Sequence, residues 1–297
     1  MNNDSSNPGQ FHFGTSSWSA KSWVGNFYPP GTPARDFLAC YSQIFQSVEA
    51  DVTYYRIPSP SMVDGWKRRT PDGFVFSAKM PRMIVHAGQG PAPDAERVLV
   101  EEHVRRPTEQ FLSAMSRLGS RLGPLVLQFP YFNKHAFSEP GLFYERLDKY
   151  LDRLPQELRF CVEIRNKHWV TPEFLDLLRS HGAAFVLLDL AYMPHPAEIE
   201  LDLLTADFTY ARLIGDRKKL DALTDSFDRV VLDQSSGLKR WADFLGAIAG
   251  DVQELFVYSN NHYAGHGPAT TAQLAALIEG REEPPAPRVP RSGELPF

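Results

Sequence analysis

The feature that most constrains this chain is an alternation. Short apolar runs of strand length recur between longer runs with helical periodicity. The short runs are Phe11–Thr15, Ser47–Asp51, Phe74–Lys79, Leu125–Phe129, Arg159–Glu163, Ala184–Asp189, Phe208–Leu213 and Leu255–Ser259. The longer ones include Pro33–Phe45, Ser61–Thr70, Thr108–Leu122, Leu142–Leu154, Pro172–His181, Gly237–Ala249 and Pro268–Glu279. Pro33, Pro107, Pro172 and Pro268 stand where first helical turns are expected, and Gly182 and Gly250 sit just past expected helix ends. Strands alternating with helices imply a parallel sheet with helical crossovers, and eight strands imply a single (β/α)8 TIM-like barrel.

Between Asp189 and Phe208 there is no amphipathic run, only a segment with Pro194 and Pro196, so an irregular connection is expected between strands six and seven. The connections Pro81–Pro107 and Gly215–Ser236 are longer than typical βα loops and are expected at the barrel mouth. The barrel is expected over residues 11–280. Residues 1–10 and the proline-rich stretch 281–297 carry no periodic apolar pattern and are expected to be disordered tails.

Composition narrows the partners. The net charge of −5 offers no global basic field for nucleic acid or an anionic membrane. No apolar run approaches the ~20 residues that span a bilayer, and residues 1–10 have no apolar core of a secretory signal. A cytoplasmic location is the expectation. The two cysteines, Cys40 and Cys161, sit in apolar contexts and read as reduced core thiols.

Alternate side chains of a strand share a face. On strand two that face carries Glu49, Asp51 and Thr53, on strand three Val75, Ser77 and Lys79, on strand four Val126 and Gln128. Strand five gives Cys161, Glu163 and Arg165, strand six Phe185, Leu187 and Asp189, strand seven Tyr210 and Arg212, and strand eight Phe256, Tyr258 and Asn260. In nearly every case the face begins apolar and ends polar. A packed barrel interior excludes unpaired charge, so the change marks the C-terminal mouth, where ligands of this architecture bind. The acids Glu49, Asp51, Glu163 and Asp189 nearly balance the bases Lys79, Arg165 and Arg212. Two readings stand side by side: a self-satisfying ion-pair network, or the same charges holding an anionic or polyhydroxylated ligand.

Several words along the chain carry a resemblance. Phe13-Gly14-Thr15-Ser16-Ser17-Trp18 is followed by Trp23 and Phe27-Tyr28-Pro29, then by Val48-Glu49-Ala50-Asp51-Val52-Thr53-Tyr54-Tyr55-Arg56. Phe76-Ser77-Ala78-Lys79-Met80-Pro81-Arg82, Leu127-Gln128-Phe129-Pro130 and Val162-Glu163-Ile164-Arg165 with His168-Trp169 come next. Tyr210-Ala211-Arg212-Leu213 and Tyr258-Ser259-Asn260-Asn261 with Gly265-His266-Gly267 complete the series. Together they resemble the YecE-like family, domain of unknown function 72 (DUF72). The resemblance runs from Phe11 to about Leu277 and implies a (β/α)8-type barrel without assigning an activity. Asp51 stands where that family usually has asparagine.

The first functional expectation is an acid/base enzyme, a hydrolase or isomerase, or a binding protein for a small anionic or sugar-like molecule. Glu49 and Glu163 are its candidate acid and base, with Lys79 also in the catalytic set. Arg165 and Arg212 are its anion clamp, with Asp51, Gln128, Asp189, Asn260, His168 and His266 as further ligand contacts. Trp18, Tyr55 and Trp169 are its candidate aromatic walls. No cofactor is expected. A divalent metal on the mouth carboxylates is the weaker variant, since no HxH or HExxH spacing occurs and three cations compete for the same acids. The second expectation is nucleic-acid binding or processing, motivated by Lys67-Arg68-Arg69, Arg105-Arg106 and Arg217, Lys218 and Lys219.

Overall fold

A computed structural model describes residues 9–88 and 90–281. Of the two expected tails, residues 1–8 and 282–297 lie outside these residues; Gly9 is buried, Gln10 already belongs to the first strand, and Arg281 follows the last helix. The strands are β1 (Gln10–Thr15), β2 (Ser47–Ala50), β3 (Val75–Lys79), β4 (Leu122–Gln128), β5 (Phe160–Glu163), β6 (Ala184–Leu190), β7 (Phe208–Gly215) and β8 (Glu254–Ser259). The α-helices among the described residues are α1 (Phe37–Tyr41), α2 (Val52–Tyr55), α3 (Pro60–Arg68), α4 (Arg82–Val85), α5 (Glu101–Met115) and α6 (Gly141–Leu151). They continue with α7 (Pro172–Ser180), α8 (Arg217–Asp221), α9 (Ser235–Ile248), α10 (Asn261–Ala264) and α11 (Gly267–Ile278).

The sheet order is β1-β8-β7-β6-β5-β4-β3-β2, and the first strand pairs in parallel with the last. Consecutive parallel strands with β1 beside β8 are the order of a (β/α)8 TIM-like barrel. Between β6 and β7 the only helical piece is a single 3-10 turn, Pro196–Glu198, which His195 caps through its side chain.

Two helix starts differ from expectation. Pro107 does not open α5. It lies inside the helix, which begins at Glu101. Val104, Thr108, Phe111 and Met115 are buried along it. That apolar stripe outweighs the one backbone hydrogen bond that proline forgoes. The expected helix over 33–45 shrinks to a 3-10 turn and the five residues of α1. The starts at Ser59 and Thr171 are as the chemistry requires: each side chain accepts a backbone N–H of its helix, from Met62 and Phe174 respectively, with proline in the first turn.

Contacts group the chain into two compact units. One comprises the chain up to Val48, Leu187–Ile199 and the chain from Ala206; the other comprises Glu49–Val186 and Glu200–Thr205. The first has an aromatic core in which Trp23, Phe27, Tyr28, Phe37, Tyr41 and Phe45 pack in edge-to-face, stacked and tilted pairs. Gly14 of β1 belongs to it for a steric reason. A side chain there would stand 2.2 Å from the Ser47 carbonyl oxygen, so only glycine lets the two backbones meet. The second unit holds Phe129, Phe132, Phe137, Phe143 and Trp169 in one ring cluster.

Candidate functional site

In the second unit the sequence-selected residues fall at strand C-termini. Lys79 is the last residue of β3, Gln128 of β4 and Glu163 of β5, while Glu49 is next to last in β2. The β4–β5 register sets Gln128 beside Glu163. Glu49 and Glu163 are fully buried. Lys79 Nζ stands 3.6 Å from Glu49 Oε1, a charge contact longer than a good hydrogen bond. Arg165 donates from Nε and Nη2 to the same oxygen of Glu163, at 2.8 Å each. Thr53 holds the end of β3 in place by donating to the carbonyls of Ala50 (2.8 Å) and Lys79 (2.7 Å). Asn166 ties the loops after β4 and β5 together: it accepts from Phe132 N–H at 2.9 Å and donates to the Phe132 carbonyl at 2.8 Å.

Beside this set lies a cavity of about 330 Å³, lined by Tyr54, Arg56, Arg82, Arg97 and His103, with Tyr55 and the backbone turn at Ala87 and Gly88. Burial raises the pKa of the Tyr54 phenol. The positive charges of Arg82 and Arg165 act in the opposite sense, and Glu163 adds to the rise. The long connection 81–107 supplies most of the wall. Ala87 and Leu99 in it have φ of 58°, a region non-glycine residues rarely occupy. His86 braces the segment: its Nδ1 accepts from Gly88 N–H at 3.2 Å, and its Nε2 is 3.2 Å from the Pro91 carbonyl oxygen.

Asp51 is half-buried at the start of α2, and Tyr55 is 77% exposed. His168 is exposed, whereas Trp169 turns inward onto Phe132, Phe143 and Phe137. Arg56, Arg82, Arg97 and His103 were not singled out by the strand-end pattern. Arg56 and Arg82 close two of the family-like words, which was the available signal. Arg97 and His103 come from the long connection and have no local signature.

The first unit holds the remaining selected residues. Arg212, in β7, is 1% exposed and in register with Tyr258. Asp189 accepts from the Trp241 indole at 2.6 Å, and its charge, after burial, helps raise the Tyr263 phenol. Asn260 caps α10 and accepts from His262 N–H at 3.0 Å. Trp18 is half-buried, its carbonyl accepting from Tyr28 Oη at 2.6 Å. His266 caps α11 and sits in a different, apolar surrounding with Phe11, Phe13, Phe27 and Phe45. Among the described residues no group of three or more His, Cys, Asp or Glu is placed to hold a metal ion, and no helix is long and apolar enough to cross a membrane.

Burial lowers the His266 pKa to about 4, against a weak opposing pull from Asp228. A depressed histidine is neutral when folded, so its contribution is complete above the unfolded value near 6.5 and is lost as pH falls towards 4. Urea unfolding at pH 7.5 and 4.5 should show the wild type losing about 2 to 3 kcal/mol more than His266→Asn, which keeps a capping side chain. Equal losses would contradict the shift.

The profile described as "Protein of unknown function DUF72" matches residues 12–293. This chain belongs to the DUF72 family. The family's curated relatives include the UPF0759 protein YecE of Escherichia coli K12, 30% identical over 156 residues, which cover 52% of this chain. That alignment spans about half of YecE, 48% of its length. The UPF0759 protein YunF of Bacillus subtilis is 22% identical over 89% of this chain and 94% of its own. Among solved structures, a DUF72 family protein from Thermotoga maritima is 26% identical with a TM-score of 0.69, covering 91% of this chain and 99% of that one. A DUF72 protein from Enterococcus faecalis, 19% identical with a TM-score of 0.66 over 91% of this chain and 96% of its own, shares the fold. The DUF72 match spans the blocks that contain Glu49, Lys79, Gln128 and Glu163.

Proposed function

We propose that this DUF72 protein binds a small anionic, sugar-phosphate-like molecule in the second unit and acts on it by acid/base chemistry. The observation that carries the reading is the cavity walled by Tyr54, Arg56, Arg82, Arg97 and His103, whose lining follows directly in sequence on the ends of β2 and β3 that carry Glu49 and Lys79. Guanidinium groups hold phosphate or carboxylate oxygens bidentately. A carboxylate fixed at a strand end, as Glu163 and Glu49 are, serves to take or return a proton. Gln128, beside Glu163 in the register, orients a hydroxyl group. Tyr54 and Tyr55 offer aromatic faces to a sugar ring. The reaction class that fits is proton transfer, in an isomerase or a hydrolase.

The test is thermal shift with ribose 5-phosphate, glucose 6-phosphate and inorganic phosphate, against glucose and sulfate. Phosphorylated sugars are expected to raise the melting temperature in a saturable way. Arg97→Ala, at an exposed position, is expected to weaken that response about tenfold or more while leaving the unliganded melting temperature unchanged. No response to any phosphorylated probe at millimolar concentration sinks the proposal. Salt-dependent binding of a DNA oligonucleotide in its place would move the assignment to nucleic acid.

A further inference from the structure

The arginine cavity of the second unit is one-sided in its chemistry. Arg56 and Arg97 are exposed on its wall and have no acidic partner among the described residues. Arg82 is held in place: its guanidinium donates to the Gly90 carbonyl and stands 3.4 Å from His86 Nδ1. No carboxylate and no side-chain amide is found among the described residues that line the cavity. Its charged side chains are therefore all donors, and the only side-chain oxygens are the hydroxyls of Tyr54 and Tyr55. Such a wall can hold phosphate oxygens. It has few side-chain acceptors for the hydroxyl protons of a sugar ring.

The rest of the lining suits a flat, weakly polar group. Tyr55 is 77% exposed and Met83 52% exposed, and both border the cavity. The half-buried Tyr54 meets the Tyr55 ring at right angles, 5.4 Å between centroids, which leaves most of that ring in water. A lone exposed tyrosine is ordinary; an exposed tyrosine and methionine grouped with unpaired guanidiniums around one cavity mark a binding surface. Every nucleobase has a π-face that stacks on such a ring, and a thioether makes a soft flanking contact. Resting on the anion site above, we propose that its ligand is a nucleoside monophosphate, with the phosphate on Arg56 and Arg97 and the base stacked on Tyr55 against Met83. The volume of about 330 Å³ lies at the lower end of small-molecule sites, a size for one nucleotide.

The test is calorimetric titration at pH 7.5 with AMP, ribose 5-phosphate and adenosine. AMP is expected to bind about tenfold more tightly than ribose 5-phosphate, the worth of one stacked base. Adenosine, which lacks the phosphate, should bind more weakly than AMP. Tyr55→Ser should cost AMP about tenfold more than it costs ribose 5-phosphate and so close the gap, whereas Tyr55→Trp should keep it. Equal binding of AMP and ribose 5-phosphate overturns the inference and leaves the sugar-phosphate reading standing. An AMP preference that survives Tyr55→Ser also overturns it, because the base then lies elsewhere. Adenosine binding as tightly as AMP overturns the part given to Arg56 and Arg97. Binding of none of the three overturns the inference and the anion site together. A short single strand of deoxyadenosines that binds more tightly than AMP would make the ligand a chain, and overturns the mononucleotide.

Discussion

Replacing Lys79 with methionine is expected to lower the free energy of unfolding by about 3 kcal/mol or more, read by urea denaturation at pH 8. Glu49 is fully buried, and the Lys79 side chain, 13% exposed, stands 3.6 Å from its carboxylate. Without the ammonium the carboxylate keeps its desolvation penalty and loses the cation that stands 3.6 Å away. The variant has one escape, which is to protonate Glu49. A raised folded pKa makes the penalty largest at high pH and smaller as pH falls, so the deficit should shrink between pH 8 and pH 5. The double variant Glu49→Gln, Lys79→Met removes both charges and should recover much of the loss. A deficit below about 1 kcal/mol, flat with pH, would show that other contacts hold Glu49. The same series bears on function. Buried ion pairs add little net stability over apolar residues of equal volume. A double variant as stable as the wild type but blind to ribose 5-phosphate would show that the pair is kept for the ligand.

The fold was legible because its signal is periodic and local. β1 to β8 each carry a short apolar run, and a run on a barrel strand must turn polar where packing ends, as Lys79, Gln128 and Glu163 do. Local rules mislead where packing decides. Pro107 looks like a helix start, yet the buried stripe from Val104 to Met115 carries the helix through it. Arg97 and His103 reach their cavity through the long connection 81–107, whose course depends on the left-handed backbone at Ala87 and Leu99 rather than on any spacing. His266 sits in a family-like word beside Asn260 and Asn261. Its ring nevertheless goes to the α11 cap and an apolar surrounding, a choice that neighbours in sequence do not reveal. Placement at a strand end is thus readable from alternation, whereas the direction of a loop side chain depends on contacts distant in sequence.

Trp169 makes that last point measurable. As a residue just beyond β5 it has the profile of a pocket wall, but its ring stacks on Phe132 at 5.8 Å and lies 5.4 Å from Phe143. Its carbonyl also accepts the Tyr144 hydroxyl at 2.7 Å. Trp169→Ala is expected to cost about 3 to 5 kcal/mol, the range for deleting a large buried aromatic, because Phe132, Phe137 and Phe143 cannot all collapse into the space. Trp169→Phe keeps most of the ring contacts and should cost less than half of that. His168, the exposed neighbour, provides the control. His168→Ala should change stability by no more than about 0.5 kcal/mol, so any loss of sugar-phosphate response in that variant reports a ligand contact. A Trp169→Ala protein as stable as the wild type, with its phosphate response gone, would reverse the assignment and return Trp169 to the ligand.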